Sequence, residues 1–306
     1  MSKKLFAVYM SAIIAMVFWS LSFIWYKEVL VLYRPVSLVI MRLIISSTLL
    51  FVVTSTLGRL DRIQKKDIGK FLLLSFLSPF IYFLGESYGV SLIPTTLAAV
   101  IVSTIPLFSP IGAYYYLKER ISWMNFAGIV VSIVGVGLVI FHDGFELKDV
   151  SLLGIGFMSL AVISALGYSL IIKKMTDRYN VFSIVAYQNL IGIFYFLPLF
   201  FWLDFKQFIQ VKPTWEVIIP LLNLGVFAST FAFIFFTYAI KNLGITKANI
   251  FTNAIPVLTA IFAYFILDEA ITPIKMAGIL VVVFGLFLSQ IRKGMFNRFN
   301  SPKVYE

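Results

Sequence analysis

Two stretches of the chain repeat one pattern: residues 105–138 read IPLFSPIGAYYYLKERISWMNFAGIVVSIVGVGL, and residues 255–288 read IPVLTAIFAYFILDEAITPIKMAGILVVVFGLFL. A proline, a glutamate and two glycines occupy equivalent places in both. The match runs without a gap from 88–138 to 238–288, at a constant shift of 150 residues. Apolar composition alone would match many Ile and Leu residues, but not these residue types in one register. The chain is therefore predicted to be an internal duplication.

The composition predicts that both copies lie in a membrane. Of the 306 residues, 60% are hydrophobic, 17% aromatic and only 13% charged, with a mean hydropathy of +0.97. Soluble chains carry about 25% charged residues. These values exclude a soluble enzyme and a disordered regulator. The absence of cysteine excludes a disulfide scaffold and every thiolate-based site.

Ten apolar runs are long enough to cross a bilayer, so the predicted fold is an all-α membrane protein with ten transmembrane helices. The runs cover about 5–26, 36–57, 68–90, 95–117, 123–141, 151–172, 182–203, 216–240, 246–267 and 274–291. We assign residues 1–146 to the first five-helix repeat, 147–292 to the second, and 293–306 to a cytoplasmic tail. Because five is odd, the second repeat enters the membrane from the opposite side, and the repeats are predicted to be inverted.

The basic residues predict the orientation. With the N-terminus inside, the cytoplasmic segments hold 18 cations and the opposite side holds six. This asymmetry follows the positive-inside rule and explains the net charge of +11 without nucleic acid. We expect both termini in the cytoplasm and the chain in a bacterial cytoplasmic (inner) membrane.

The motifs resemble a known family. Trp19 in FWSLSFIW, Lys27, Arg42 and the twin stretches are similar to the two EamA-type repeats of the drug/metabolite transporter superfamily. The resemblance covers nearly the whole chain and implies ten helices, cytoplasmic termini, and export or exchange of small metabolites such as amino acids, without naming a substrate. One departure is that, at a shift of 146, the second repeat has Gln188 where the first has Arg42.

Arg42 and Glu86 are the two charges that we place well inside predicted helices. A charge in hydrocarbon is costly and should face the protein interior or a wet cavity. Three interpretations stay open. Arg42 contacts an anionic or carboxylate-bearing substrate, the two residues form a fixed structural ion pair, or Glu86 couples transport to protons.

Pro106 and Pro256 lie near the middles of predicted helices 4 and 9. Each lacks an amide hydrogen and frees the carbonyl four residues earlier, which predicts a kink. Ser103, Thr104 and Asn253 are polar residues beside these breaks. Kinked helices with polar groups at mid-depth are typical of transporter sites and gates, although such kinks also serve packing alone.

The substrate-binding candidates are polar or aromatic residues within the helices: Trp19, Ser22, Arg42, Glu86, Ser103, Thr104, Gln188, Asn189, Asn223, Asn249 and Asn253. The amides among them could instead form hydrogen bonds between helices. A second set is predicted to order tight turns between helices: Glu119, Ser122, Glu269, Thr272 and Pro273.

The favoured function is a secondary active transporter (a permease or efflux protein) with alternating access at a central cavity between the repeats. The alternatives are an intramembrane transferase or hydrolase and a passive channel. The sequence lacks HExxH, paired intramembrane aspartates and a Ser–His pair, so we expect no enzyme activity, and it lacks a GxxxxGK[ST] loop. The expected partners are a small molecule and the lipid bilayer, with no cofactor, metal or nucleic acid. A coupling proton or ion gradient, and a homodimer through helices 5 and 10, stay open.

Overall fold

The structure is a computed structural model that describes residues 3–105, 123–140 and 151–290. Within these ranges all regular secondary structure is helical. The helices are α1 (Lys3–Leu30), α2 (Pro35–Thr56), α3 (Lys65–Leu92), α4 (Thr95–Val102), α5 (Trp123–Ile140), α6 (Leu152–Met175), α7 (Val181–Phe208), α8 (Trp215–Leu243), α9 (Ile245–Ile250 and Ile255–Leu267) and α10 (Pro273–Gln290). The two parts of α9 are joined by a 3₁₀ turn, Phe251–Ala254.

Six of these helices are long and apolar enough to cross a membrane: α1, α2, α3, α6, α7 and α8. Shorter apolar helices come from α5, α9 and α10. Large apolar side chains are exposed along them, as expected of a surface that faces lipid. The predicted all-helical, multi-pass membrane fold is therefore confirmed, whereas the number of ten crossings remains a prediction.

Three long helices contain π-helical turns close to prolines. The turn in α3 spans Phe76–Ile81 and includes Pro79, the turn in α7 at Phe200–Asp204 follows Pro198, and the turn in α8 at Leu224–Phe231 follows Pro220. Proline cannot donate the regular i→i−4 hydrogen bond, so the backbone near it changes register. In α3 the break is sharpest at Ser78, whose backbone angles (φ −143°, ψ 123°) are extended.

Helices α5 and α10 pack closely through glycine. A Cβ on Gly135 would lie 2.6 Å from the Val282 nitrogen and 2.8 Å from the Gly278 oxygen. A Cβ on Gly285 would lie 2.4 Å from Ser132 Oγ and 2.8 Å from the Gly128 oxygen. The contacting residue numbers fall in one helix as they rise in the other, so the two helices are antiparallel.

Helices α2 and α7 are also antiparallel, and the start of each is capped by an aspartate that lies in, or follows, the other. Asp204, in the π-helical turn of α7, accepts hydrogen bonds from the Ser37 amide at 2.8 Å and the Ser37 hydroxyl at 3.2 Å, at the start of α2. Asp61, after the end of α2, accepts from the Asn180 amide at 2.6 Å, immediately before α7. These bonds satisfy amides that a helix N-terminus leaves unpaired.

The remaining helix pairs complete a regular arrangement around the interior. Helix α1 packs on α8, α3 packs on α6, and α4 packs on α9. We can match α1–α5 of the first half, in order, with α6–α10 of the second half. Under this match, the packed pairs α2–α7, α4–α9 and α5–α10 each correspond to themselves. The pair α1–α8 corresponds to the pair α3–α6. The packing therefore repeats the pattern of the sequence duplication.

Candidate functional site

A cavity lies between helices α1, α2, α3, α4, α6, α8 and α9. The volume of this cavity, about 60 Å³, exceeds the roughly 10–15 Å³ that one water molecule needs. Most of the wall is apolar and aromatic: Trp19, Phe23, Phe83, Tyr168, Phe233 and Phe236. Trp19 packs edge-on against Phe233 and Phe236, with ring centres 5.4 and 4.8 Å apart. The aromatic wall is therefore continuous between α1 and α8.

Arg42 brings a positive charge from α2 to this wall and is only 1% exposed. Its Nε donates to Ser229 Oγ at 2.6 Å, and its Nη1 donates to the Tyr26 hydroxyl and lies 3.6 Å from Glu86 Oε2. The guanidinium carbon lies 4.1 Å from the centre of the Phe83 ring, a cation–π contact. Nη2 forms no hydrogen bond with any residue that the structure describes.

Glu86 faces the same cavity from α3, and tyrosines hold both of its oxygens. Oε2 accepts a hydrogen bond from the Tyr26 hydroxyl at 2.8 Å, and Oε1 accepts one from the Tyr82 hydroxyl at 3.1 Å. The Tyr26 hydroxyl also accepts from Arg42, so it bridges the two opposite charges. This network balances the buried charge and keeps both side chains in fixed positions.

A second polar cluster surrounds Ser229, whose hydroxyl accepts the hydrogen bond from Arg42 Nε. Asn189 Nδ2 donates to Ser46 Oγ at 2.8 Å and to the Ser229 carbonyl at 3.2 Å. Ser46 Oγ donates to the same carbonyl at 3.1 Å, and Thr230 Oγ1 donates to Ser46 Oγ at 2.7 Å. Ser229 and Thr230 belong to the π-helical part of α8. The cluster ties α2, α7 and α8 together beside the cavity.

Five of the sequence-predicted binding residues lie on the cavity wall: Trp19, Ser22, Arg42, Glu86 and Asn249. They come from α1, α2, α3 and α9, which the chain order alone does not bring together. The Ser22 hydroxyl donates to the Trp19 carbonyl at 2.7 Å. Asn249 is the next-to-last residue of the first part of α9, which ends at Ile250.

The other described candidates lie off the wall. Ser103 and Thr104 donate back to the carbonyls of Val100 and Ile101, at 2.7 and 2.6 Å. Asn223 is half-buried at the end of the first part of α8. The Ser103 and Thr104 hydroxyls are therefore engaged by nearby backbone carbonyls, and Asn223 lies at the end of a helical segment.

Three amides are buried behind the wall. Gln188 Oε1 accepts from the Tyr168 hydroxyl at 3.1 Å, which links it to a wall residue. Asn189 belongs to the polar cluster around Ser46. Asn253 is 3% exposed, and neither its oxygen nor its nitrogen has a hydrogen-bond partner in the described part of the chain.

The kink and turn candidates have mixed placements. Pro256 is the second residue of the helix Ile255–Leu267, directly after the 3₁₀ turn that interrupts α9. Thr272 Oγ1 accepts from the Lys275 amide at 3.2 Å, and α10 begins at Pro273. The predictions for Pro106, Glu119 and Ser122 lie outside the described residues.

Glu269 lies between α9 and α10 but caps α4. Its Oε1 accepts from the Thr95 amide at 2.9 Å and from the Thr95 hydroxyl, and its Oε2 accepts from Thr96 Oγ1 at 2.7 Å. Lys275 Nζ lies 3.4 Å from Oε2. Burial raises the pKa of Glu269, but the hydrogen bonds from both threonines and the charge of Lys275 outweigh burial and leave the pKa below its ordinary value.

Three tyrosines and a serine that complete the site are not predicted from the sequence: Tyr26, Tyr82, Tyr168 and Ser229. Aromatic residues are so frequent in this chain that no single tyrosine stood out. One usable signal exists, because a tyrosine in the middle of an apolar helix needs a partner for its hydroxyl. Among the described residues, no group of three or more His, Asp or Glu side chains could hold a metal ion.

Comparison with known proteins agrees with this architecture. The model of the EamA-like transporter family matches residues 6–141 and 152–290, once in each half of the chain. The chain belongs to the EamA-like transporter family. It is thus an integral, multi-pass membrane protein of a transporter family, and such proteins are generally not enzymes.

The relatives are similar over most of their length. An uncharacterized transporter of Archaeoglobus fulgidus is 25% identical over 271 residues, which cover 89% of this chain and 94% of that protein. The uncharacterized transporter YdfC of Bacillus subtilis is 24% identical over 300 residues, 97% of this chain and 95% of YdfC. A protein of known crystal structure superimposes with a TM-score of 0.71 over 93% of this chain and 98% of its own, at 14% identity, and so shares the fold.

Proposed function

We propose that this EamA-like protein is a secondary active transporter that exports or exchanges small amphipathic carboxylates, such as amino acids, by alternating access. The observation that carries the proposal is the cavity, where one guanidinium faces a space lined mostly by aromatic rings. The proposed setting is a bacterial cytoplasmic membrane with both termini inside, as the distribution of cations favours.

Alternating access is supported by the two-fold pattern of helix contacts. Gly135 contacts Gly278 and Val282, and Gly285 contacts Gly128 and Ser132. A shift of 150 residues converts each set into the other. Reciprocal contacts between antiparallel helices are what a two-fold axis perpendicular to those helices produces. Such an axis would lie in the membrane plane and relate two inverted five-helix repeats.

The chemistry of Arg42 supports a carboxylate as the group that is recognised. A guanidinium offers five N–H donors in a planar fork that fits a carboxylate. Nε and Nη1 are engaged by Ser229 and Tyr26, and Nη2 is left for a ligand. The aromatic wall suits the apolar part of a small molecule. The same geometry also fits the alternative that Arg42 and Glu86 form a purely structural pair, so the two roles must be separated by experiment.

The test is counterflow in proteoliposomes, with a panel of small carboxylates and matched neutral amides as substrates. We expect saturable uptake that a counter-substrate stimulates and that prefers carboxylates. Arg42→Met should raise KM by roughly tenfold or more, because a hydrogen bond to a charged group contributes about 1.5–3 kcal/mol. Arg62→Met, at an exposed position, is the matched control.

Arg42→Met leaves Glu86 without its counter-charge, so the double variant Arg42→Met/Glu86→Gln tests recognition without a buried unpaired carboxylate. If the double variant folds and transports carboxylates with an unchanged KM, Arg42 is not a substrate ligand. Flux that rises linearly without saturation would identify a channel instead.

A further inference from the structure

Four buried polar atoms on α2, α3 and α7 have no hydrogen-bond partner within the described residues: Ser47 Oγ, Ser75 Oγ, Gln188 Nε2 and, near the far end of α7, Gln207 Oε1. Ser47 is 4% exposed, and Ser75 and Gln188 are fully buried. Buried polar groups in folded proteins are nearly always paired, with protein or with ordered water. The first three call for a common explanation if they lie at one level of the fold.

The contacts between α2 and α7 fix the level of Ser47. It lies one helical turn from Leu43 and one turn from Phe51, on the same face of α2. A Cβ on Gly192 would lie 3.4 Å from Leu43 Cδ1, and the Phe51 ring packs on the Tyr187 ring with centres 5.5 Å apart. Ser47 therefore faces α7 between Tyr187 and Gly192.

The contacts between α3 and α7 place Ser75 at the same level. Ser75 lies four residues after Phe71, whose ring packs on Tyr187 with centres 5.8 Å apart. It lies four residues before Pro79, whose Cγ would be 2.3 Å from a Cβ on Gly192. The stretch of α3 that holds Ser75 thus also meets α7 between Tyr187 and Gly192.

Gln188 lies in this same stretch of α7 and is already oriented. Its Oε1 accepts a hydrogen bond from the Tyr168 hydroxyl at 3.1 Å, and Tyr168 lines the cavity. Nε2 is therefore the end of the amide that lacks a partner. The three unpaired groups therefore lie at one level of the fold behind the cavity wall, where α2 and α3 of the first half converge on α7 of the second.

We propose that one buried water molecule binds at this convergence and bridges Ser47, Ser75 and Gln188. A buried water typically forms about three hydrogen bonds with otherwise unpaired polar groups. It can accept from Gln188 Nε2 while it donates to one serine hydroxyl and accepts from the other. The three groups carry no charge, which favours a neutral ligand over an ion. The bridge holds the Gln188 amide in place and, through it, the Tyr168 hydroxyl at the cavity wall.

The test is thermal unfolding of the full chain in detergent for Ser47→Ala, Ser75→Ala and the double variant. A dry site would gain stability on losing an unpaired hydroxyl, whereas a water bridge loses a bond. We expect each single variant to lower the Tm by roughly 2–4 °C, and the double variant to lower it by less than the sum, since both serines share one water. Ser164→Ala is the control, because Ser164 is equally buried but bonds to its own helix.

An unchanged or higher Tm in either single variant, or strictly additive losses, overturns the proposal. A stabilising effect of Na⁺ or Cl⁻ on the unaltered chain that the double variant lacks would assign an ion and likewise overturn it. An experimental map of the unaltered protein at a resolution that shows waters provides a direct check. The expected feature is one peak within hydrogen-bond distance of all three groups, and its absence refutes the bridge.

Discussion

Tyr26 shows how this protein keeps two opposite charges inside a membrane-spanning fold. Its hydroxyl accepts from Arg42 and donates to Glu86, so the charges are linked through a neutral group as well as by their direct 3.6 Å approach. A buried charge is tolerated when its counter-charge and hydrogen bonds are both present. The tyrosine therefore holds Arg42 in place on the cavity wall.

Glu86→Gln separates pairing from proton coupling at this site. Because Tyr26 and Tyr82 occupy both carboxylate oxygens, we expect the variant to lower the Tm while the pH dependence of transport keeps its shape. The measurements are thermal unfolding and counterflow across pH, with Glu216→Gln, at an exposed position, as control. A flattened pH profile in Glu86→Gln alone would instead support coupling through Glu86.

At the scale of helices, α5 and α10 depend on residues that have no side chain at their crossing. Gly285→Ala would place a methyl group 2.4 Å from Ser132 Oγ and 2.7 Å from the Ser132 nitrogen, so the helices must separate. We expect a Tm lower by several degrees, because overpacking costs about 1–3 kcal/mol. Gly137→Ala, on α5 and with open space at its Cβ, is the control. Equal Tm values for the two variants would show that the crossing is looser than described.

Glu269 offers a pH-dependent test of how α9 is tied to α4. Because its pKa is lower in the folded protein, its carboxylate stabilises the fold at neutral pH, and this contribution is lost as the pH falls below the ordinary value of 4.5 and through the folded pKa. Glu269→Gln should therefore lower the Tm at pH 7, with a difference that shrinks on acidification. Glu216→Gln, at an exposed position, should show neither effect. A deficit that stays constant with pH would argue against the charged cap.

The helices could be predicted from the sequence because apolar runs of this length are typical only of helices that cross a membrane. The second run, predicted at 36–57, forms Pro35–Thr56, and the last, predicted at 274–291, forms Pro273–Gln290. The π-helical turns were not predicted, since Pro79 and Pro220 signal a break without specifying its register. The side of each helix that faces the protein interior was also not predicted, because apolar residues occur on several sides of each helix.

The candidate site was predictable where a residue type is rare in hydrocarbon. Arg42 and Glu86 stood out as charges, and the structure brings both to one cavity. Tyr26 and Ser229 could not be selected in the same way, because tyrosine and serine are common in membrane helices. Glu269 was assigned to its own turn, yet it bonds to Thr95, which is 174 positions away in the chain. Contacts across the duplication follow from tertiary packing and leave no local signal.

At the scale of the whole molecule, the ends of α2 predict which loops share a side of the membrane. Asp61 bonds to Asn180, and Gln207 bonds to the Leu32 carbonyl at the other end. The 22 residues of α2 separate these ends by about 33 Å. Loops 57–64 and 176–180 should therefore face one side, and loops 31–34 and 209–214 the other.

Single cysteines in this cysteine-free chain test that arrangement. Arg62→Cys and Asp177→Cys should react with an impermeant thiol reagent only from the cytoplasmic side, and Val31→Cys and Lys212→Cys only from the opposite side. All four positions are exposed. Labelling of Arg62→Cys and Asp177→Cys from different sides would refute the antiparallel pairing of α2 with α7, and with it the inverted arrangement.

The reciprocal caps on α2 and α7 restrict how the protein can change shape. Asp204 accepts a hydrogen bond from Ser37 at one end of this pair, and Asp61 accepts one from Asn180 at the other end. Sliding one helix along the other would break the hydrogen bonds at both ends of the pair. Separating the helices at one end would break the hydrogen bonds at that end. We therefore expect α2 and α7 to stay together during the proposed alternating access. Opening to either side would then require other helices to tilt relative to this pair.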